Sequence, residues 1–320
     1  MLTVAAVGLI GTGTSAADPA PSPAGTGKAA APATDLTQHP KLSLPAPDPA
    51  KWGTPQRGAD VMASSVRADG SRVITFYTPV PGESASTLYQ LLKKQGVTGL
   101  QDPAAPATSG STASGSTASG STTPALAAAG ITSCRYGTAQ LYNCATDSNV
   151  AHQFHWTNGC CTDPQIWFVD HTGSSWPVNA STSVWNQTPG IDSHYVYGSC
   201  PNYSGQHCVG VTSANYGCSG WEGRTTLQPS STNYYNIAGA SIELNDYNGT
   251  CATSAGTVNY AKNSSGYRQA TCHEQGHALG MGHNSATDSC LYAATMMASS
   301  YEQPDTDDFT LLSQLYSVAY

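Results

Sequence analysis

Residues 273–283 read His-Glu-Gln-Gly-His-Ala-Leu-Gly-Met-Gly-His, and no other segment constrains the chain as strongly. At 3.6 residues per turn, His273 and His277 fall one turn apart on the same helix face, so two imidazoles can grip one ion. Glu274 follows the first of them and is directed away from coordination, which leaves its carboxylate free to act on a water as a general base. Gly280, having no Cβ, can take the left-handed conformation that ends a helix and turns the chain back. The turn brings His283 round as a third ligand.

Three neutral imidazoles around Zn2+ leave one tetrahedral position open for water, the pattern of a catalytic rather than a closed structural site. Zinc lowers the pKa of such a water toward ~7 and polarises a carbonyl oxygen, so the implied reaction is hydrolysis of an amide. Ordinary surface or core histidines are a poor alternative. With 9 His and 32 Gly in the chain, these five positions align by chance with a probability on the order of 10⁻⁵.

In these residues the chain resembles the metzincin clan of zinc metalloendopeptidases, most closely its matrixin-like members of the secreted bacterial type. The resemblance implies an α+β zincin catalytic domain, a twisted mixed sheet with helices, and a smaller C-terminal subdomain after His283. It also implies a methionine turn beneath the metal, for which Met297 is the candidate ahead of Met296. Residues 240–246 alternate like a half-buried strand and correspond to the clan's edge strand, where a substrate chain would pair by strand addition. Residues 305–316 place acidic groups before an apolar stripe and resemble the closing helix of matrixins. Two departures stand out. Ser299 occupies the position where some metzincins carry a tyrosine ligand, and the link from His283 to the methionines is long and contains Cys290. A Cys272–Cys290 disulfide would tie that link to the helix.

All ten cysteines lie between Cys134 and Cys290. An even number confined to one region reads as a disulfide framework formed in an oxidising compartment, and no paired CxxC spacing supports a cysteine metal site. Cys200–Cys208 is a plausible short-range bridge, whereas the adjacent Cys160 and Cys161 are expected to bond to different partners. A formal charge of −8 with only 10% charged residues excludes the basic stripe that a nucleic-acid partner requires. His152, His155 and His171 could be imagined around a second metal but read better as hydrogen-bonding side chains. No G-x-S-x-G elbow is present, so a serine hydrolase has no support.

Composition divides the chain. Residues 1–17 are apolar and end in small residues, like a signal peptide; the mature protein is then expected to be secreted, extracellular, monomeric and free of the membrane. Residues 18–56 are rich in Pro and Ala and read as disordered. Residues 57–102 hold a strand pattern over 72–77 and a helix pattern over 84–95, and form a small folded pro or accessory element. Residues 103–130 are a Ser/Gly/Thr-rich linker, and residues 131–320 are the catalytic domain. No cysteine precedes Cys134, so a propeptide could not block the metal through a thiolate and would have to act sterically or through another ligand. The expected function is a secreted zinc endopeptidase acting on protein or peptide substrates. The alternative is a secreted binding or adhesion module that retains a zinc site without turnover.

Overall fold

The computed structural model describes residues 40–52, 56–57, 61–103, 132–142, 153–253 and 256–317. The segments read as signal peptide and Ser/Gly/Thr linker therefore lie almost wholly outside the described residues. In chain order the strands are β1 (Gln56–Arg57), β2 (Val61–Val66), β3 (Arg72–Pro79), β4 (Leu100–Gln101), β5 (Thr132–Tyr136), β6 (Ala139–Tyr142), β7 (Gln165–His171), β8 (Asp192–Tyr197), β9 (Gln206–Ala214), β10 (Trp221–Pro229), β11 (Ile237–Asn245), β12 (Thr250–Thr253) and β13 (Gly256–Asn259). The helices are α1 (Ala85–Lys94), α2 (Val178–Trp185), α3 (Ser264–Ala278) and α4 (Thr306–Ser317).

Eight strands form one mixed sheet in the order β4-β2-β3-β10-β11-β9-β7-β8. The four strands from β11 to β8 are mutually parallel, whereas β10, β3, β2 and β4 each run antiparallel to the neighbour before them. Parallel strands need covered faces, and in β7 the alternate residues Ile166 and Phe168 are fully buried. Helices α2 and α3 supply the cover on that side, sharing a core with Ile166, Phe168, Val209, Val211, Ile242 and Leu244. The whole is an α+β fold with a twisted mixed sheet, and the residues after His283 end in α4, which joins the same core through Leu311, Leu312 and Leu315.

Strand alternation sorts the 61–101 segment between two cores. Met62, Ile74 and Phe76 point into the main core with α3, while Val61, Ala63 and Tyr77 point the other way, onto Leu88 and Leu92 of α1 and onto Trp221. Helix α1 is capped as its sequence suggests: Ser84 accepts from the backbone N–H of Thr87, and two lysines lie in the last turn, where cations suit the helix dipole.

Three sequence expectations change at this level. Residues 240–245 belong to β11, which is paired on both sides, to β10 and to β9, with Asp246 just past its end; a half-buried alternation cannot distinguish an edge from an interior strand when one face carries polar residues. The residues read as an accessory element are not held apart from the catalytic sheet, because β3 is hydrogen-bonded along β10. Residues 40–52, read as having little to bury, are laid against the body: Lys41 donates to the carbonyls of Asn186 and Ile191 and pairs with Asp192 at 2.9 Å, and Trp52 packs edge-on to Tyr136.

Candidate active site

Helix α3 carries His273, Glu274 and His277, and its ends are fixed by named groups. Asn263 caps the N-terminus, accepting from the backbone N–H of Gly266. At the C-terminus the exposed carbonyls of a helix need donors, and two bulky side chains from elsewhere in the chain supply them: Trp156 Nε1 reaches Ala278 O at 2.9 Å and the Tyr316 hydroxyl reaches Leu279 O at 2.9 Å. In the body of the helix Trp185 Nε1 adds a bond to Cys272 O at 3.0 Å. Gly276 lets the helix sit close to its neighbours, since a Cβ there would fall 2.6 Å from Leu291 Cδ2 and 2.8 Å from Trp185 Cζ2.

Gly280 has φ +97°, and a Cβ on it would lie 2.2 Å from the carbonyl oxygen of Phe154. Both conditions demand glycine. The chain reverses there, and Met281 N bonds back to Gly276 O. The returning segment is pinned by Gly282 N to Gln140 O at 2.8 Å and by Asn284 N to Leu291 O at 2.7 Å.

This reversal brings His283 against the helix. One nitrogen from each of His273, His277 and His283 lies within 4.8 Å of the others, and the Nε2 atoms of His273 and His283 are 3.0 Å apart. Nδ1 of His273 lies 2.9 Å from Cys290 O and Nδ1 of His277 lies 2.9 Å from Met281 O. A carbonyl only accepts, so each Nδ1 carries the hydrogen and each Nε2 presents a lone pair. Lone pairs brought together in this way fit a cation: a tetrahedral zinc with bonds of ~2.0–2.1 Å would want its ligand nitrogens roughly 3.3 Å apart. All three rings are buried. Burial, and then His283, hold His273 well below the ordinary histidine range, so it is neutral as a ligand must be.

The disulfide Cys272–Cys290 joins the residue before His273 to the residue whose carbonyl orients it. Cys200–Cys208 is also joined, as is Cys218–Cys251. Cys160 and Cys161 are bonded to each other, which corrects the expectation of separate partners.

Glu274 is fully buried. Its Oε1 accepts from the Thr78 hydroxyl at 2.6 Å and its Oε2 from the Thr225 hydroxyl at 2.6 Å. The carboxylate lies against the backbone of β10 at Gly223, where a Cβ would be 2.5 Å from Oε1. Sequence reasoning missed Thr78, Thr225 and Gly223. The one available signal was Gly223 itself, an isolated glycine inside a strand pattern, which marks a close approach. Met297, the methionine-turn candidate, has φ +54° and lies by the opening turn of α3, its carbonyl accepting from Asn263 and its Cγ 3.0 Å from where a Cβ of Gly266 would be.

A family model described as matrixin, of the M10 peptidases, matches residues 149–317. The chain belongs to the matrixin family. Matrixins are zinc-dependent metallopeptidases, and the match spans the three histidines, Glu274 and every helix except α1. It begins after β6, so strands β1 to β6 lie outside the matrixin match. No curated protein matches the chain. None of the helices among the described residues is long and apolar enough to cross a membrane.

Proposed function

We propose that this matrixin is a secreted zinc endopeptidase in which His273, His277 and His283 hold the metal and Glu274 is the general base. The single observation that carries the reading is the convergence of three imidazole nitrogens within 4.8 Å beside a carboxylate buried on the same helix. When bound there, zinc would supply Lewis-acid polarisation of the substrate carbonyl and acidify a water. Cys290 O and Met281 O hold the ring orientations of His273 and His277, as outer partners of ligating histidines do. Thr225 and the Gly223 backbone fix the Glu274 carboxylate, which would take the proton of the attacking water and return it to the leaving amine. The four disulfides among the described residues favour an oxidising, extracellular setting.

The test compares wild type with Glu274→Gln, both freed of residues before 131 by cleavage and both assayed for zinc content and casein hydrolysis. The variant keeps one zinc per chain while hydrolysis falls by at least ~10³-fold, and a chelator abolishes wild-type activity. A Gln variant that cleaves at the native rate refutes the role of Glu274. A zinc-loaded wild type that cleaves nothing at any pH would favour the binding-module alternative.

A further inference from the structure

The chain that follows His283 comes back to α3 at one turn, residues 289–292, and that turn meets each ligand-bearing stretch of the site. Cys290 O accepts from Nδ1 of His273 at 2.9 Å, the Leu291 side chain lies on the helix at Gly276, and Leu291 O accepts from the N–H of Asn284, the residue after His283, at 2.7 Å. On the zinc reading above, we propose that Leu291 is a positioning residue of the metal site. It is an aliphatic wedge between α3 and the returning chain that sets the spacing of His273 and His277 from His283, and it fills the place for which Met297 was the expectation.

Helix geometry puts Leu291 beside the ligands. At about 100° per residue, Gly276 stands roughly 60° to one side of His273 and Glu274 roughly 60° to the far side of His277. The two imidazoles are therefore flanked by the Glu274 carboxylate, set against β10, and by Leu291. Leucine reaches this place because residue 276 has no side chain: a Cβ there would lie 2.6 Å from Leu291 Cδ2. Leu291 is fully buried in the main core. Its side chain carries no lone pair, so it acts on the metal site by volume alone. Met297 packs against Gly266, earlier on α3.

The turn is braced from behind. Leu291 N donates to Ser289 Oγ at 3.0 Å, the Ser289 hydroxyl donates to Oδ2 of Asp308 on α4, and Oδ1 of Asp308 accepts from the Asn284 side-chain amide at 2.8 Å. Cys290 is joined to Cys272 in the helix. A turn held on both flanks closes poorly over a missing side chain, so shortening Leu291 leaves a cavity into which the imidazoles can shift.

The test uses the full chain and reads the metal rather than turnover. Wild type, Leu291→Ala, Leu291→Met, Met297→Leu and Leu227→Ala are stripped with a chelator. Zn2+ affinity is then measured by competition with a chromogenic chelator, and Co2+ is loaded for its visible absorption bands. Leu291→Ala is expected to bind Zn2+ at least ~10-fold more weakly, as loss of a group that orients metal ligands does, and to change the Co2+ bands. Leu291→Met, which keeps the volume, and Met297→Leu should match wild type in both readouts. Leu227→Ala removes an equally buried leucine from the same core and should lower the unfolding midpoint without altering either metal readout, which separates positioning from packing. Leu291→Val carries the same comparison should the alanine variant not fold. Wild-type affinity and spectrum in the shortened Leu291 variant overturn the proposal, as does an equal loss in Leu227→Ala or in Met297→Leu. A wild type that takes up neither ion overturns the zinc reading and the proposal together. Metal binding that responds to Leu291 as expected, in a protein that hydrolyses no peptide, upholds the positioning role and overturns the peptidase reading instead.

Discussion

Thr78 and Glu274 are 196 positions apart in the chain, yet the threonine hydroxyl is 2.6 Å from the glutamate carboxylate and both are buried. A hydrogen bond to a charged group is worth about 1.5–3 kcal/mol when its partner cannot turn to water. Thr78→Val keeps the shape and removes the donor. The expected outcome is a loss of about 1.5–3 kcal/mol in denaturant unfolding of the zinc-loaded full chain, with Thr78→Ser near wild type. Matching stabilities for Val and wild type would mean that the contact contributes nothing.

Gly223→Ala places a methyl group 2.5 Å from Glu274 Oε1, and the carboxylate must move. A displacement of ~1 Å at a catalytic group costs on the order of 10²-fold in rate. With residues before 131 cleaved away, the variant should bind zinc normally and lose about that factor in kcat while KM changes little. Unaltered kcat would show that the carboxylate position tolerates the shift.

Lys262 and Glu222 form an ion pair at 3.0 Å with neither side chain exposed. Lys262 also donates to the carbonyls of Tyr247 and Tyr260 and lies over the rings of Trp176 and Tyr267. Burial pushes the Glu222 carboxyl up to about 7, against the pull of Lys262. Removing one partner strands the other, so Lys262→Met should cost about 3–5 kcal/mol. The double variant with Glu222→Leu should recover much of that loss. A double variant as unstable as the sum of the singles would argue against a coupled pair.

Asp308 gives a pH dependence with a definite sign. Its carboxyl is pushed up to about 8 by burial first and by neighbouring Asp305 second, although Ser289, Asn284 and the Asp305 N–H donate to it. The folded state therefore holds a proton that the unfolded chain releases near ~3.9. Its contribution to stability is complete below ~4 and declines as pH rises through about 8. Asp308→Asn should flatten that decline, read as the difference in unfolding free energy between variant and wild type from pH 4.5 to 8.5. Parallel pH curves for the two proteins would contradict the raised value.

The local parts of the site were legible in the sequence because they obey local rules. The spacing of His273 and His277 is a property of one helix, and the φ +97° at Gly280 is the kind of position that the glycine itself announces. The pattern over residues 305–316 likewise gives α4, and the pattern over 84–95 gives α1 with its serine cap. What could not be read was pairing between distant strands. Residues 72–77 spell a strand, but nothing in them names β10 as the partner, and residues 240–246 alternate equally well at an edge or between two neighbours. The clamp on Glu274 shows the same limit. Thr78 and Thr225 come from two strands on either side of a pairing that no periodicity encodes, and threonine in a strand is common enough to carry no signal of its own.

The C-terminal helix has a further consequence. Tyr316 reaches the carbonyl of Leu279, one residue before the reversal at Gly280, and also holds the backbone of Trp156. One phenol hydroxyl on α4 thus fastens the turn that separates His277 from His283, so a weakened seat for that helix would be felt in how the three imidazoles are spaced.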